Sequence, residues 1–132
     1  MKGFILDASL ALEWFNSGAS REVLAKRSLL EDHVALVPHT WRFEVMNVIA
    51  TWRKRGEITD ADSTWVLNEI LHIPSAIVDE GSADSIVSLA LHYNLSAYDS
   101  TYLNAAMTTG EPLATLDRTL ISAAKKAGVH CL

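Results

Sequence analysis

One cysteine, Cys131, in 132 residues excludes both a disulfide framework and a cysteine-built zinc cluster. It suits a reducing compartment, and a cytoplasmic location is the expectation. No apolar run approaches the roughly 18 residues of a membrane span, because Asp7 and Glu13 interrupt the most apolar stretch. The opening residues MKGFILDAS reach a carboxylate after three apolar residues, so neither a secretory leader nor a membrane partner is expected. Positive charge is scarce: 11 Lys and Arg against 16 Asp and Glu leave a net charge of −5. That balance argues against a protein that coats nucleic acid generally, yet leaves room for an enzyme that gathers acids into one pocket. The five histidines (His33, His39, His72, His92 and His130) show no ligand spacing. Three prolines and six glycines leave no linker, and there is no repeat or low-complexity tract. One domain over 1–132 is expected.

With 49% apolar residues, a chain of this length buries roughly 68% of its unfolded surface and folds without staples. Short β-like runs alternate with longer helical patterns, the signature of an α/β fold. Strands are expected at Gly3–Asp7, Val34–Val37, Ala76–Val78, Pro112–Thr115 and Val129–Cys131. Helices are expected at Ala8–Asn16, Ser20–Glu31, from Pro38 to about Arg55, from Thr59 to about Leu71, and at Ser82–Tyr93, Ser96–Thr109 and Asp117–Ala127. Val23, Leu24, Leu29 and Leu30 are expected to face inward. The whole is a mostly parallel sheet of about four to five short strands between layers of helices, with ligands expected beyond the carboxyl ends of the strands.

Two acids mark that edge. Asp7 ends the first strand, and Asp117 follows Leu113-Ala114-Thr115-Leu116; each also stands where a helix N-cap belongs. Asp99 lies three residues after Ser96, which fits a capping box. Glu44 borders the apolar stripe of Trp41, Val45 and Val48, where a half-buried carboxylate needs compensation. Two readings stand for it: a metal ligand, or a salt bridge to an arginine such as Arg53 or Arg118.

Together these residues carry a resemblance. Phe4-Ile5-Leu6-Asp7-Ala8-Ser9 resembles the opening motif of the PIN-domain nucleases, specifically the VapC-type toxins of toxin–antitoxin pairs. The segment from Pro38 through Glu44 to Val48 is similar to that family's second motif. Ser96-Ala97-Tyr98-Asp99 resembles its third and Leu113-Ala114-Thr115-Leu116-Asp117 its fourth, in the family's order and over essentially the whole chain. The resemblance implies a PIN-like three-layer fold and a metal-dependent endoribonuclease. In it Asp7, Glu44, Asp99 and Asp117 hold Mg²⁺ or Mn²⁺, and Ser9 and Thr115 supply pocket hydroxyls. It also implies an RNA substrate and a small antitoxin partner, gripped where Trp14, Phe15 and Trp65 lie. One departure from the family's pattern is Asn104, polar within the third-motif helix and expected to face solvent.

Hard oxygen donors are what Mg²⁺ takes, and a bound ion can activate water and neutralise charge on a phosphate. The four acids account for four of the five net negative charges, and without metal at least one should have a raised pKa. Arg42, Arg53, Lys54, Arg55, Arg118, Lys125 and Lys126 either steer the RNA backbone or are solvated helix faces and dipole partners. Trp41, Trp52, Trp65, Val48 and Ile49 suggest a homodimer surface, unless the core takes them. Other readings are weaker. A phosphatase with a strand-end aspartate nucleophile needs a second acid two residues on, where this chain has Ser9. A receiver domain needs paired acids after the first strand and a lysine after the last. A PIN-like module that processes or binds RNA or protein, without a toxin role, is separated from a nuclease by activity.

Overall fold

The computed structural model describes residues 2–132. Four strands, β1 (Lys2–Leu6), β2 (His33–Val37), β3 (Ser75–Ile77) and β4 (Leu113–Ala114), form one parallel sheet in the order β3-β2-β1-β4. The interior strand β1 carries an unbroken apolar run, Phe4-Ile5-Leu6, all fully buried, as a parallel strand covered on both faces requires. Helices α1 (Ala8–Glu13) and α2 (Arg21–Arg27) link β1 to β2, and α3 (Trp41–Lys54) and α4 (Asp60–Leu71) link β2 to β3. Helices α5 (Ala83–Tyr93) and α6 (Ala97–Thr109) lead across to β4, and α7 (Arg118–Lys126) follows it. α1 packs on α3 and α3 on α4, while α6 packs on α5 and α7. Right-handed crossovers put these two groups on opposite faces of the sheet, giving three layers. The chain runs outward from β1 to β3 and then returns to the other side of β1, so strand order reverses between β1 and β4. The crevice beyond their carboxyl ends is where such folds bind ligands.

Several expectations change. The helix expected over Ser20–Glu31 is α2 followed by a 3₁₀ turn at Ser28–Glu31, and Leu24 is exposed rather than inward. The fifth strand at Val129–Cys131 shrinks to one parallel bridge, Leu113 to Cys131, because β4 itself offers only two residues to pair with. Trp41 and Ile49 are 2% exposed and belong to the core, so they are not available to a homodimer surface. Asn104 does not face solvent. It is buried in α6, where Ser100 through Ala106 are all enclosed, and its Nδ2 donates to the carbonyl of Glu80. A helix buried all round has no polar face on which to place it.

Candidate active site

Register does the first part of the assembly. Leu6 pairs with Ala114, so the next residues on the two strands, Asp7 and Thr115, are neighbours across the crevice. Thr115 Oγ1 donates to Asp7 Oδ2 at 2.6 Å and accepts from the backbone N–H of Asp117 at 3.1 Å. One buried hydroxyl thus ties the first motif to the fourth. Ser9 Oγ also donates to Asp7 Oδ2, at 3.0 Å, and the Ser9 N–H donates to Oδ1. Asp7 does cap α1, and Asp117 caps α7 by accepting from the Leu120 N–H at 3.0 Å. Capping consumes a single oxygen of each at most in those bonds and does not remove either from the pocket.

Asp7, Glu44, Asp99 and Asp117 line one pocket of about 360 Å³, with Ser9 beside them and Glu13, Val48 and Trp52 completing the wall. Thr115 acts on the pocket through Asp7 rather than from its wall. All four acids stand at helix N-termini: Asp7 and Asp117 cap α1 and α7, and Glu44 and Asp99 occupy the first turns of α3 and α6. Those dipole ends favour negative charge by a few tenths to about 1 kcal/mol each.

Among the described residues no cation is ion-paired with the cluster. The three ion pairs among the described residues, His33–Asp32, His39–Glu80 and Arg53–Asp60, include none of the four acids. The salt-bridge reading of Glu44 is therefore set aside. Its carboxylate accepts instead from Thr40 Oγ1 at 3.3 Å and from Tyr102 Oη at 3.1 Å. Burial, with Asp7 and Asp99 nearby, pushes the Glu44 carboxyl up to about 7 against the pull of those two donors. Asp99 is also raised, by burial first and then by the charges of Asp117 and Asp7.

Tyr102 is the residue that reading the chain missed. It is fully buried, its hydroxyl donates to Glu44 and accepts from the Ala8 N–H at 3.3 Å, and burial beside Glu44 and Asp7 drives its pKa far up. It therefore remains a donor at any working pH. The signal available was its position, one turn after Asp99 on the same helix.

The donor set is oxygen throughout, which fits a hard divalent cation. Among the described residues no three His, Cys, Asp or Glu side chains converge closely enough to enclose an ion by themselves. Mg²⁺ keeps several waters and binds through a few carboxylates plus substrate phosphate.

A second groove, of about 560 Å³, shares Glu13 and Trp52 with the acid pocket and continues over Phe15, Glu57, Asp62 and Trp65. Phe15 and Trp65 meet edge to face at 5.6 Å, and Trp65 is 55% exposed. Trp14 is not part of this surface: it is buried, and its indole N–H donates to the Val23 carbonyl at 2.9 Å.

The model of the PIN domain family matches residues 4–126. Among curated proteins none matches the chain. Among solved structures it is similar to PAE2754 from Pyrobaculum aerophilum, at 20% identity and a TM-score of 0.72, over 92% of this chain and 86% of that one. It is similar to VapBC2 from Rickettsia felis, bound to a DNA fragment from their promoter, at 11% identity and a TM-score of 0.69, over 98% and 97%. FitAcB from Neisseria gonorrhoeae is similar at 16% identity and a TM-score of 0.67, over 98% and 96%.

Proposed function

The chain belongs to the PIN-domain family, and from that premise we propose that it is a divalent-metal-dependent endoribonuclease, the toxin of a toxin–antitoxin pair. The observation that carries this reading is the meeting of Asp7, Glu44, Asp99 and Asp117, none of them ion-paired, on one pocket at the strand-order reversal. The whole of 1–132 is proposed to act as one PIN-like domain, in the cytoplasm; no helix among the described residues is long and apolar enough to cross a membrane.

In this reading the four carboxylates hold Mg²⁺, or Mn²⁺ in its place. The bound ion supplies a Lewis acid that activates water and offsets charge on the phosphate. Ser9 and Thr115 fix the rotamer of Asp7 through two hydroxyl hydrogen bonds to Oδ2. Tyr102 and Thr40 fix Glu44. The pocket wall of Val48 and Trp52 limits water on one side.

A small antitoxin is proposed to occupy the aromatic groove. The exposed Trp65 and the half-buried Phe15 against it call for apolar anchors, and Glu13, Glu57 and Asp62 call for positive charge beside them. Structures similar in fold include VapBC2 and FitAcB, which supports a paired protein by analogy of fold. A homodimer is also proposed. With Trp41 and Ile49 in the core, and Val48 and Trp52 on the acid pocket, its surface shifts to the exposed apolar residues Val87 and Leu91 of α5.

The test is cleavage of single-stranded and structured RNA with Mg²⁺ or Mn²⁺, against EDTA, for the intact chain and Asp7→Asn. Asn keeps an amide oxygen for the cap, so stability should stay within about 1 kcal/mol. Activity should fall at least about 100-fold, since even outer-shell changes at metal sites cost 10–100-fold. Cleavage that survives EDTA, or a wild-type rate in Asp7→Asn, overturns the reading. Binding of RNA without cleavage favours a module without a toxin role.

A further inference from the structure

Helix α7 buries Leu120, Ala123 and Ala124 and turns its other face to a groove of about 610 Å³. Arg118, Ser122 and Lys126 line it from α7, and His92, Tyr93 and Asn94 from the end of α5. Its wall holds no carboxylate. The acid pocket, the aromatic groove and the smaller grooves beside Pro112 and Pro74 each have at least one. In a chain of net charge −5 a basic wall free of acids runs against the overall balance. Neither Arg118 nor Lys126 takes part in an ion pair among the described residues, so both charges are open to an external anion.

The groove also has a direction. Asp117 lines the acid pocket, and Arg118, the next residue, lines the groove. From Arg118 to Lys126 the helix rises about 12 Å, so the two cations form a track that starts at the acid pocket and leads away from it. Ser122 and Asn94 add neutral donors of the kind that bind phosphate and sugar. His92 and Tyr93 pack edge to face at 4.5 Å on the opposite wall. A basic track beside aromatic rings is the combination that binds single-stranded nucleic acid, through phosphates on one side and stacked bases on the other. A polyanionic protein segment would use the cations but has no use for the aromatic pair.

We infer that this groove is a subsite for single-stranded RNA running away from the acid pocket, with phosphates on Arg118 and Lys126 and a base against the His92–Tyr93 pair. It rests on the ribonuclease reading for its substrate, and its test is arranged to fail separately. The measurement is fluorescence anisotropy of a labelled oligouridylate of about 12 nucleotides on the intact chain, in EDTA, across a salt series. Without metal the acids repel phosphate, so the groove dominates what binding remains. Each phosphate contact on a single strand contributes about 0.7 to the slope of log affinity against log salt. Lys126→Gln should weaken binding several-fold and flatten that slope by about 0.7, and adding Arg118→Gln should flatten it by about as much again. His92→Ala should weaken binding with the slope unchanged. Lys2→Gln, the same charge loss at the amino end of β1, should alter neither.

Lys126→Gln and Lys2→Gln behaving alike would overturn the inference. So would an intact chain that cleaves RNA with Mg²⁺ but gives no groove-dependent binding in EDTA, and that result would leave the ribonuclease reading standing. Displacement of the oligouridylate by polyglutamate of equal charge, at equal or lower concentration, would assign the groove to an acidic protein segment instead. Groove-dependent binding without any cleavage would keep the subsite and remove the nuclease.

Discussion

The inner and outer halves of the one sheet are built differently. In the inner half Phe4, Ile5 and Leu6 of β1 and both residues of β4 are fully buried, and α6 encloses seven consecutive residues. In the outer half all three residues of β3 are exposed, and α5, which follows β3 and packs on α6, buries none of its eleven. Ile77 of β3 and Val87 and Leu91 of α5 face water, Leu91 at 80% exposure. The strand-end acids, Asp7 and Asp117, and α6, which carries Asp99 and Tyr102, belong to the inner half. Repelling carboxylates relax apart unless their supports are rigid, and dense burial supplies that rigidity. The outer half has few buried apolar contacts to lose and so sits at the low end of local stability.

The largest effect that separates the halves is a matched truncation. Leu103→Ala, fully buried in α6, should cost about 2–5 kcal/mol in urea unfolding, the range for leucine deletions that leave a cavity. Leu91→Ala should cost under about 0.5 kcal/mol in the monomer, since a surface substitution removes little packing. The same variant sharpens the comparison by light scattering. A homodimer closed over Val87 and Leu91 of α5 loses apolar area in Leu91→Ala and dissociates at higher concentration than the parent chain. A dimer indifferent to Leu91→Ala would place its interface elsewhere.

Within the inner half, Tyr102→Phe tests whether rigidity reaches the acids themselves. The change keeps the ring and removes the hydroxyl that joins Glu44 to the Ala8 N–H. Outer-shell hydrogen bonds of this kind are worth about 10–100-fold in metal affinity or activity. Metal titration of cleavage should therefore shift by that factor, with the apparent pKa of the acidic limb rising because a donor to the Glu44 carboxylate is gone. Loss of stability with no shift in metal dependence would reduce Tyr102 to a core residue.

What the chain of letters disclosed follows the same division. Strand-end acids are legible because Phe-Ile-Leu-Asp and Leu-Ala-Thr-Leu-Asp place a charge where an apolar run stops. Glu44 was legible as a problem, a carboxylate at the edge of an apolar stripe, but its solution was not: the compensating donor is a tyrosine 58 residues away. Asn104 was misplaced because a helix buried all round shows no stripe that says which residues are inside. The family resemblance assigns Trp14 to a docking surface, whereas its ring is buried and its N–H is satisfied internally by Val23. Periodicity identifies the buried stripe of α3, Trp41, Val45 and Ile49, but fails at Leu24 of α2, which is exposed; where burial surrounds an element, tertiary partners decide and no local pattern records them.

The smallest effect concerns pH, and here the two halves carry opposite signs. In the metal-free chain the Glu44 carboxyl is raised from 4.5 to about 7, so between those values the folded state holds a proton that the unfolded state has released. The stability it contributes is fully present below about 4.5 and is lost as pH rises toward 7. The nominal shift corresponds to about 3 kcal/mol, and with Glu44 only half-buried, solvent screening leaves about 1–2. Asp99 is shifted in the same direction. Glu80, in the loop after β3, is shifted the other way: burial raises its carboxyl, but the His39 hydrogen bond, backbone hydrogen bonds and the nearby His39 charge together lower it. Its stabilisation is present above the usual carboxylate range and is lost on acidification. Urea unfolding without metal should therefore show the parent chain losing stability from pH 5 to pH 8 relative to Glu44→Gln, which has no proton to release. Added Mg²⁺ at pH 8 should recover stability in the parent by mass action, and less in Glu44→Gln. A parent and a Glu44→Gln variant with parallel pH profiles would mean that solvent already relieves the acid pocket, and the contrast between a strained inner half and a relaxed outer one would fail at the site where it matters most.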